Sequence, residues 1–357
     1  MRMESNALRV GFLPLNDCAP IVIARELGLF EQYGLAVELH KEKDWAAIRD
    51  KVAGGELDAA QAPMALPLAI NCGIASEPRP CVTGLILSLH GNAITLSRSL
   101  WESGVYDART LRKAVTDAAR RRTFTLAVPF MYSSHNFILR QWLFSGGINP
   151  DAELRIVIVP PREMFPHLSL GYIDGYCVGE PWGGLAVQAK AGVCVATSAE
   201  IAPLHPDKVL MVRKEFAEGR ADEHERLIAA LIQACAFCDK PQNRRAISDC
   251  LAHSQYVDAP QDCIRAGLTG PFIMGNGCIR SSEDFHIFHR DNANEPGYDK
   301  AQWTISQMDA LLDAGDHGTG ERPLLRAATV FRPDIYERAQ QRVAHEARKV
   351  EEEALWA

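Results

Sequence analysis

Strand-like apolar runs and helix-like runs alternate along nearly the whole of this 357-residue chain. Leu8–Leu15 reads as a strand. It leads into a helical stretch that Pro20 opens and Gly34 ends, with proline in the first turn and glycine past the last. Leu35–His40, Leu57–Ala60, Cys81–Leu87 and Ala93–Ser97 read as further strands, with helices over Ala46–Ala53 and from Met64. A second set follows: helix Leu111–Arg120, strand Thr123–Val128, helix Ser134–Phe144 stopped by Gly146-Gly147, and strand Arg155–Val159. It continues with a helix to Leu170, strand Gly175–Val178, a helix from Trp182 and strand Val193–Thr197. Val209–Val212, the long helix Glu223–Cys238, a helix-rich last third and a charged surface helix over Pro333–Leu355 complete the chain. Such alternation predicts an α/β protein whose sheet is mostly parallel and covered on both faces. Two sets with no flexible linker between them predict two lobes and a ligand cleft between the lobes.

The length suffices for a large core, and 47% apolar residues is ordinary for a globular protein. The net charge of −7, with no long run of Lys or Arg, argues against nucleic acid or an anionic membrane as a direct partner. The longest apolar stretches, such as Ala65–Ile74, are too short to span a bilayer. The N-terminus, from Met1 to Ala7, enters the first strand with no signal-like segment and no lipid-attachment cysteine, which leads to the expectation of a cytoplasmic protein. Most of the ten cysteines sit in apolar runs, as buried free thiols do in a reducing compartment. Cys235 and Cys238 form an i, i+3 pair on an apolar helix face with no second pair at zinc spacing, so neither metal nor cofactor is expected.

The chemistry concentrates just past strand ends, where α/β sheets bind ligands. Tyr176-Cys177-Val178-Gly179-Glu180-Pro181-Trp182 ends a strand in a turn whose glycine lets backbone approach a small ligand. Asn16 and Asp17 follow the first strand, Trp45 the second, Asn92 sits in a Gly-Asn turn before a strand, His135 opens a helix, and Lys208 precedes a strand. Each has a plain reading. A lone Trp packs, a Gly-Asn pair turns, His135 is an exposed first-turn residue capped by Ser133 or Ser134, and Lys208 is a solvated lysine. As a set they share one property. Indole, amide, imidazole, backbone and ammonium N–H groups are all donors, and a helix N-terminus adds more. Donors and one cation converging on a cleft suit a small anion.

At these segments the sequence resembles the nitrate-binding proteins of nitrate ABC transporters. Trp45 with Arg49-Asp50, Gly91-Asn92, Ser134-His135 with Arg140-Gln141-Trp142, Val159-Pro160-Pro161, Cys177 to Trp182 and Asp207-Lys208 occur in that family's order. Gly275-Asn276-Gly277 and Phe288-His289-Arg290 extend the resemblance over residues 8 to 305. The resemblance implies a two-lobed periplasmic-binding-protein-like fold of type 2. The chain would cross twice between a first lobe of residues 1–95 plus 208–357 and a second of 96–207. It also implies that Trp45, Asn92, His135, Gly179 and Lys208 bind nitrate or nitrite, with Asn92 standing where transporter members have Gln.

Without an export signal, the chain resembles the cytoplasmic nitrate/nitrite sensors of NasS type. These hold an RNA-binding antiterminator of NasT type and release it when the anion binds. The alternative is the solute-binding component of a nitrate ABC transporter, or less readily a bicarbonate one. Bicarbonate carries an O–H and wants an acceptor carboxylate or a metal, whereas nitrate has only acceptors, so Lys208 favours nitrate and Glu180, the one nearby carboxylate, orients its turn. A related thiamine-pyrimidine synthase has a Cys-Cys-Cys-Phe-Cys run that is not present here. No Gly-x-Ser-x-Gly or phosphate-loop motif occurs either, so no enzyme activity is expected.

Overall fold

A computed structural model describes residues 7–74, 76–118, 122–281, 283–314 and 322–356. Residues Met1 to Asn6, on which the localisation reading drew, lie outside them. The strands, in chain order, are β1 (Leu8–Phe12), β2 (Val37–Lys41), β3 (Ala59–Pro63), β4 (Cys81–Val82), β5 (Ile86–His90), β6 (Asn92–Ser97), β7 (Thr125–Val128) and β8 (Arg155–Ile158). Then come β9 (Gly175–Gly179), β10 (Gly192–Thr197), β11 (Pro206–Arg213), β12 (Phe272–Ile273), β13 (Ile279–Arg280) and β14 (His286–Ile287).

They form a seven-stranded sheet in the order β14-β5-β11-β3-β1-β2 with β4 on β11, a five-stranded sheet in the order β10-β6-β9-β7-β8, and a two-stranded β12-β13 hairpin. The chain passes from the first sheet to the second at Gly91 and returns between Thr197 and Pro206. β3 and β5 are fully buried along their length, including the polar side chains of Gln61, Ser88 and His90.

The mostly parallel sheet expected from alternation is corrected: both sheets are mixed. β1 lies parallel to β2 and β3, and β7 parallel to β8 and β9. β11, however, runs antiparallel to β3, β4 and β5, and β6 antiparallel to β9 and β10. β6 and β11 are the first strands after each passage of the chain between the sheets. Two element readings also change. The helix expected from Pro20 to Gln32 is interrupted at Gly28, whose φ of +67° breaks it into Ala19–Glu26 and Leu29–Gln32. The strand expected over Cys81–Leu87 is broken into β4 and β5. The helix expected over Leu111–Arg120 is Ala108–Ala118, its expected last two residues lying outside those described.

A continuous buried apolar cluster runs between the sheets and includes Leu13, Leu15, Trp45, Tyr132, Phe137, Val178 and Trp182. The long helix Ala221–Asp239 buries Leu227, Ile228, Leu231, Cys235 and Cys238 against the seven-stranded sheet. The C-terminal helix Pro333–Trp356 lays Ile335, Tyr336 and Ala339 on that helix and ties to it through Arg338 and Arg342 on Glu225.

Candidate functional site

The five candidate residues come together where the strand ends of the two sheets face each other. Each is buried. Trp45 opens the helix Trp45–Gly54, whose N-cap is Asp44: its carboxylate accepts from the Ala47 N–H at 2.7 Å. The Trp45 Nε1–H has no hydrogen-bond partner. His135 is the second residue of the helix Ser134–Ser145, and neither of its ring nitrogens has a partner. It is therefore not the exposed first-turn residue of the plain reading. Neither serine caps the helix: Ser133 donates to the Phe130 carbonyl and Ser134 to Asp207.

Asn92 opens β6 and pairs in register with Gly179, the last residue of β9. A β-carbon at Gly179 would lie 3.4 Å from both Asn92 Oδ1 and Asp17 Oδ2, so glycine leaves the space between those two acceptors clear. Asn92 Oδ1 has no partner, while its Nδ2 donates to Asp207 at 3.0 Å.

Lys208 is fully buried, not solvated. Its Nζ lies 5.7 Å from the centre of the Trp45 ring and 3.1 Å from Asp17 Oδ2, and it donates to Asp207 Oδ2. Adjacent side chains on a regular strand point to opposite faces. Asp207 and Lys208 nevertheless meet, because the pairing of β11 with β5 shifts register on both sides of Lys208.

The two aspartates correct the sequence reading. Glu180 is not the one nearby carboxylate. Asp17 and Asp207 both stand against Lys208, fully buried, whereas Glu180 Oε2 accepts from the Gly184 N–H at 2.8 Å and so orients its turn as expected. Asn16 and Asp17 also separate in role. Asn16 gives its side-chain N–H to the Ile264 carbonyl and its backbone N–H to the Glu180 carbonyl. Asp17 enters the site as a carboxylate, held by Gln61 Nε2, and Gln61 Oε1 in turn accepts from the Leu13 N–H at 3.0 Å. The signal that could have found both aspartates is their position beside strand ends, next to a lysine that needs a counterion once buried.

The two carboxyls titrate in opposite directions. Burial pushes Asp17 up to about 6 against the pull of Lys208. Burial acts the same way on Asp207 but is outweighed by Lys208 and by the imidazoles of His135 and His205, which hold it well below the usual carboxylate range. Lys208 resists its own desolvation because two carboxylates face it, and its value is raised. Burial, with Lys208 nearby, holds His135 well below its ordinary value, so the imidazole is neutral and offers one N–H. Among the described residues no group of His, Cys, Asp and Glu is arranged to hold a metal ion. Cys235 and Cys238 are buried thiols whose values burial raises.

Around one fixed ammonium there are thus unpartnered donors at Trp45 and His135, an unpartnered acceptor at Asn92 Oδ1, and the carboxylate oxygen Asp17 Oδ2, whose one partner is Lys208. Such a set can orient a small planar oxyanion.

The comparisons agree with this architecture. The chain is 38% identical over 309 residues to the nitrate import ATP-binding protein NrtC of Synechocystis sp. PCC 6803, covering 86% of this chain and 46% of that one. It is also 38% identical over 311 residues to the bicarbonate transport ATP-binding protein CmpC of the same organism, with the same two coverages. It spans less than half the length of either relative. The crystal structure of the periplasmic nitrate-binding protein NrtA from Synechocystis PCC 6803 superposes with a TM-score of 0.89 at 25% identity, over 96% of this chain and 91% of that one. The fold is thus the periplasmic-binding-protein-like α/β fold of the solute-binding proteins. Residues 2–252 match the NMT1-like family, and the chain belongs to that family.

Proposed function

We propose that the protein binds nitrate or nitrite reversibly and releases it unchanged, with Trp45, Asn92, His135, Gly179 and Lys208 as the ligand-binding residues. The observation that carries this reading is the buried ammonium of Lys208 beside an indole N–H and an imidazole that no protein group satisfies. Buried polar groups without partners are costly unless a ligand pairs them. The nitrate-binding protein NrtA, with which the chain superposes, supports the choice of anion. A four-heavy-atom ligand at a ceiling of about 1.5 kcal/mol per atom gains roughly 6 kcal/mol, a dissociation constant of tens of micromolar.

The proposal extends to mechanism. Lobes of residues 1–95 plus 208–357 and of 96–207 close on the anion, and the closed form changes which partner can bind. The output we propose is that of a cytoplasmic sensor, which sequesters an RNA-binding antiterminator of NasT type when empty and releases it when filled. By linkage, antiterminator and anion must weaken each other's binding by the same factor. Cytoplasmic placement is supported by the buried free thiols of Cys18, Cys81, Cys177, Cys194, Cys235 and Cys238.

A second reading, the solute-binding part of a nitrate or bicarbonate transporter, is favoured by one observation. Asn92 Oδ1 and Asp17 Oδ2 are buried acceptors that could take the O–H of bicarbonate. The similarity to a protein named for bicarbonate transport points the same way. Calorimetric titration with nitrate, nitrite and bicarbonate separates the ligands, and bicarbonate binding more tightly than nitrate would defeat the first reading. Co-purification from cells grown with and without nitrate separates the roles. An antiterminator recovered only without nitrate supports the sensor; transporter subunits recovered instead support the second reading.

A further inference from the structure

Lys208 is not a lone cation waiting for an anion. It shares a fully buried cluster with two carboxyls, Asp17 and Asp207, so with both ionised the cluster carries one net negative charge. Adding a monoanion to that enclosure would leave two uncompensated negative charges out of water, an unfavourable state. Asp207 cannot relieve it. It accepts from Asn92, Ser134 and Lys208, and a carboxylate with three donors keeps its charge. Asp17 is less well held. One oxygen takes the Gln61 amide, while the other, Oδ2, has a single donor, the Lys208 ammonium at 3.1 Å that Asp207 shares, and lies beside Gly179 and Asn92 Oδ1.

Resting on the anion site proposed above, we infer that Asp17 is its specificity-determining residue: nitrate binds together with one proton, taken from solvent onto Asp17 Oδ2. The protonated carboxyl then presents an O–H donor to an anion that has only acceptors, and leaves Lys208 to the anion and Asp207. No bond of the anion changes, and the proton leaves with it. Bicarbonate meets the opposite state. Ionised Asp17 accepts its O–H, so bicarbonate binds without taking up a proton. One carboxyl thereby distinguishes two planar anions of the same size and charge.

The groups around Asp17 leave it as the site of the proton. Lys208 and Asp207 come from β11 and Gln61 from β3, Cys18 is its chain neighbour, and His135, from the helix Ser134–Ser145, lies near Lys208 and Asp207. His135 stays neutral and the Cys18 thiol is pushed up by burial, so neither carries charge. Glu180, whose backbone carbonyl accepts from Asn16, is the other buried carboxyl that holds a proton near neutrality, pushed up by burial to about 7. With Asp17 pushed up by burial to about 6, the pH range of the effect follows.

The test is calorimetry of the full chain with sodium nitrate in buffers of different ionisation enthalpy, at several pH values. The parent should take up about one proton per nitrate at pH 8, and its dissociation constant should rise about 50-fold from pH 6 to pH 8. Asp17→Asn keeps an oxygen for the Gln61 amide and offers the anion an N–H. It should bind nitrate without proton uptake and with a flat pH profile, and bind bicarbonate more weakly than the parent. Glu180→Gln should retain the parent's proton uptake, a control that holds even if the Asp17 variant does not fold. Nitrate binding by the parent with no proton uptake overturns the inference and leaves the anion site standing. Uptake that persists in Asp17→Asn, or disappears in Glu180→Gln, also overturns it. If the parent binds none of the anions, the site and the inference fall together.

Discussion

The two sheets face one site with different chemistry. The seven-stranded side supplies every formal charge, Asp17 after β1 and Asp207 and Lys208 on β11, together with the indole of Trp45. The five-stranded side supplies neutral groups only: the Asn92 amide, the Ser134 hydroxyl, the neutral His135 ring and the backbone at Gly179. Hydrogen bonds from Asn92 and from Ser134 to Asp207 are among those that already join the sides. The difference teaches how such a crevice can close on an anion. One side gathers two carboxyls around a single ammonium before any ligand arrives, and the other side adds dipoles whose desolvation costs far less than that of ions.

The comparison breaks first at Lys208. Lys208→Met leaves two buried carboxyls without their cation, so nitrate binding should fall by more than about 150-fold and stability by about 3–5 kcal/mol. Calorimetry and denaturant unfolding read the two losses, and a variant that binds like the parent would move the anion elsewhere. On the neutral side a smaller loss of affinity should come without loss of stability. His135→Phe keeps the ring volume and deletes nitrogens that no protein group uses. It should weaken nitrate roughly 10- to 150-fold while leaving the unfolding midpoint unchanged or raised. A large destabilisation would show that His135 serves the fold.

Trp45→Phe removes a single N–H and should cost about tenfold in affinity, the lower end for one hydrogen bond to a charged group. The smallest effect on affinity belongs to Glu180→Gln, since Glu180 orients a turn and does not touch Lys208's cluster. Its effect is on stability. Burial raises the Glu180 carboxyl from 4.5 to about 7 in the folded protein. The folded state therefore keeps the proton longer than the unfolded one. Stability is full below about 4.5 and falls as pH rises to about 7. Glu180→Gln should abolish that fall and be more stable than the parent at pH 8 by on the order of 2–3 kcal/mol. Melting curves at pH 5 and pH 8 decide it: an equal gap between variant and parent at both would place the ionisation elsewhere.

The sequence by itself determined what depends on near neighbours. Alternating runs of strand and helix residues were legible because each pattern repeats within a few positions. Trp45, Asn92, His135, Gly179 and Lys208, which the family resemblance singles out, are brought together, although Asn92 opens β6 and Lys208 lies inside β11 rather than before it. Strand direction was not legible. β11 pairs with β3, β4 and β5 across the whole intervening five-stranded sheet, and nothing within Pro206–Arg213 encodes that it enters antiparallel. The charge balance was hidden for a related reason. Strand alternation would send Asp207 and Lys208 to opposite faces, and only the register shift in β11 joins them. Asp17 reaches the same lysine from the other end of the chain. Whether a buried lysine carries its counterions with it is set by contacts between residues far apart in sequence, and those exist only once both sheets have formed.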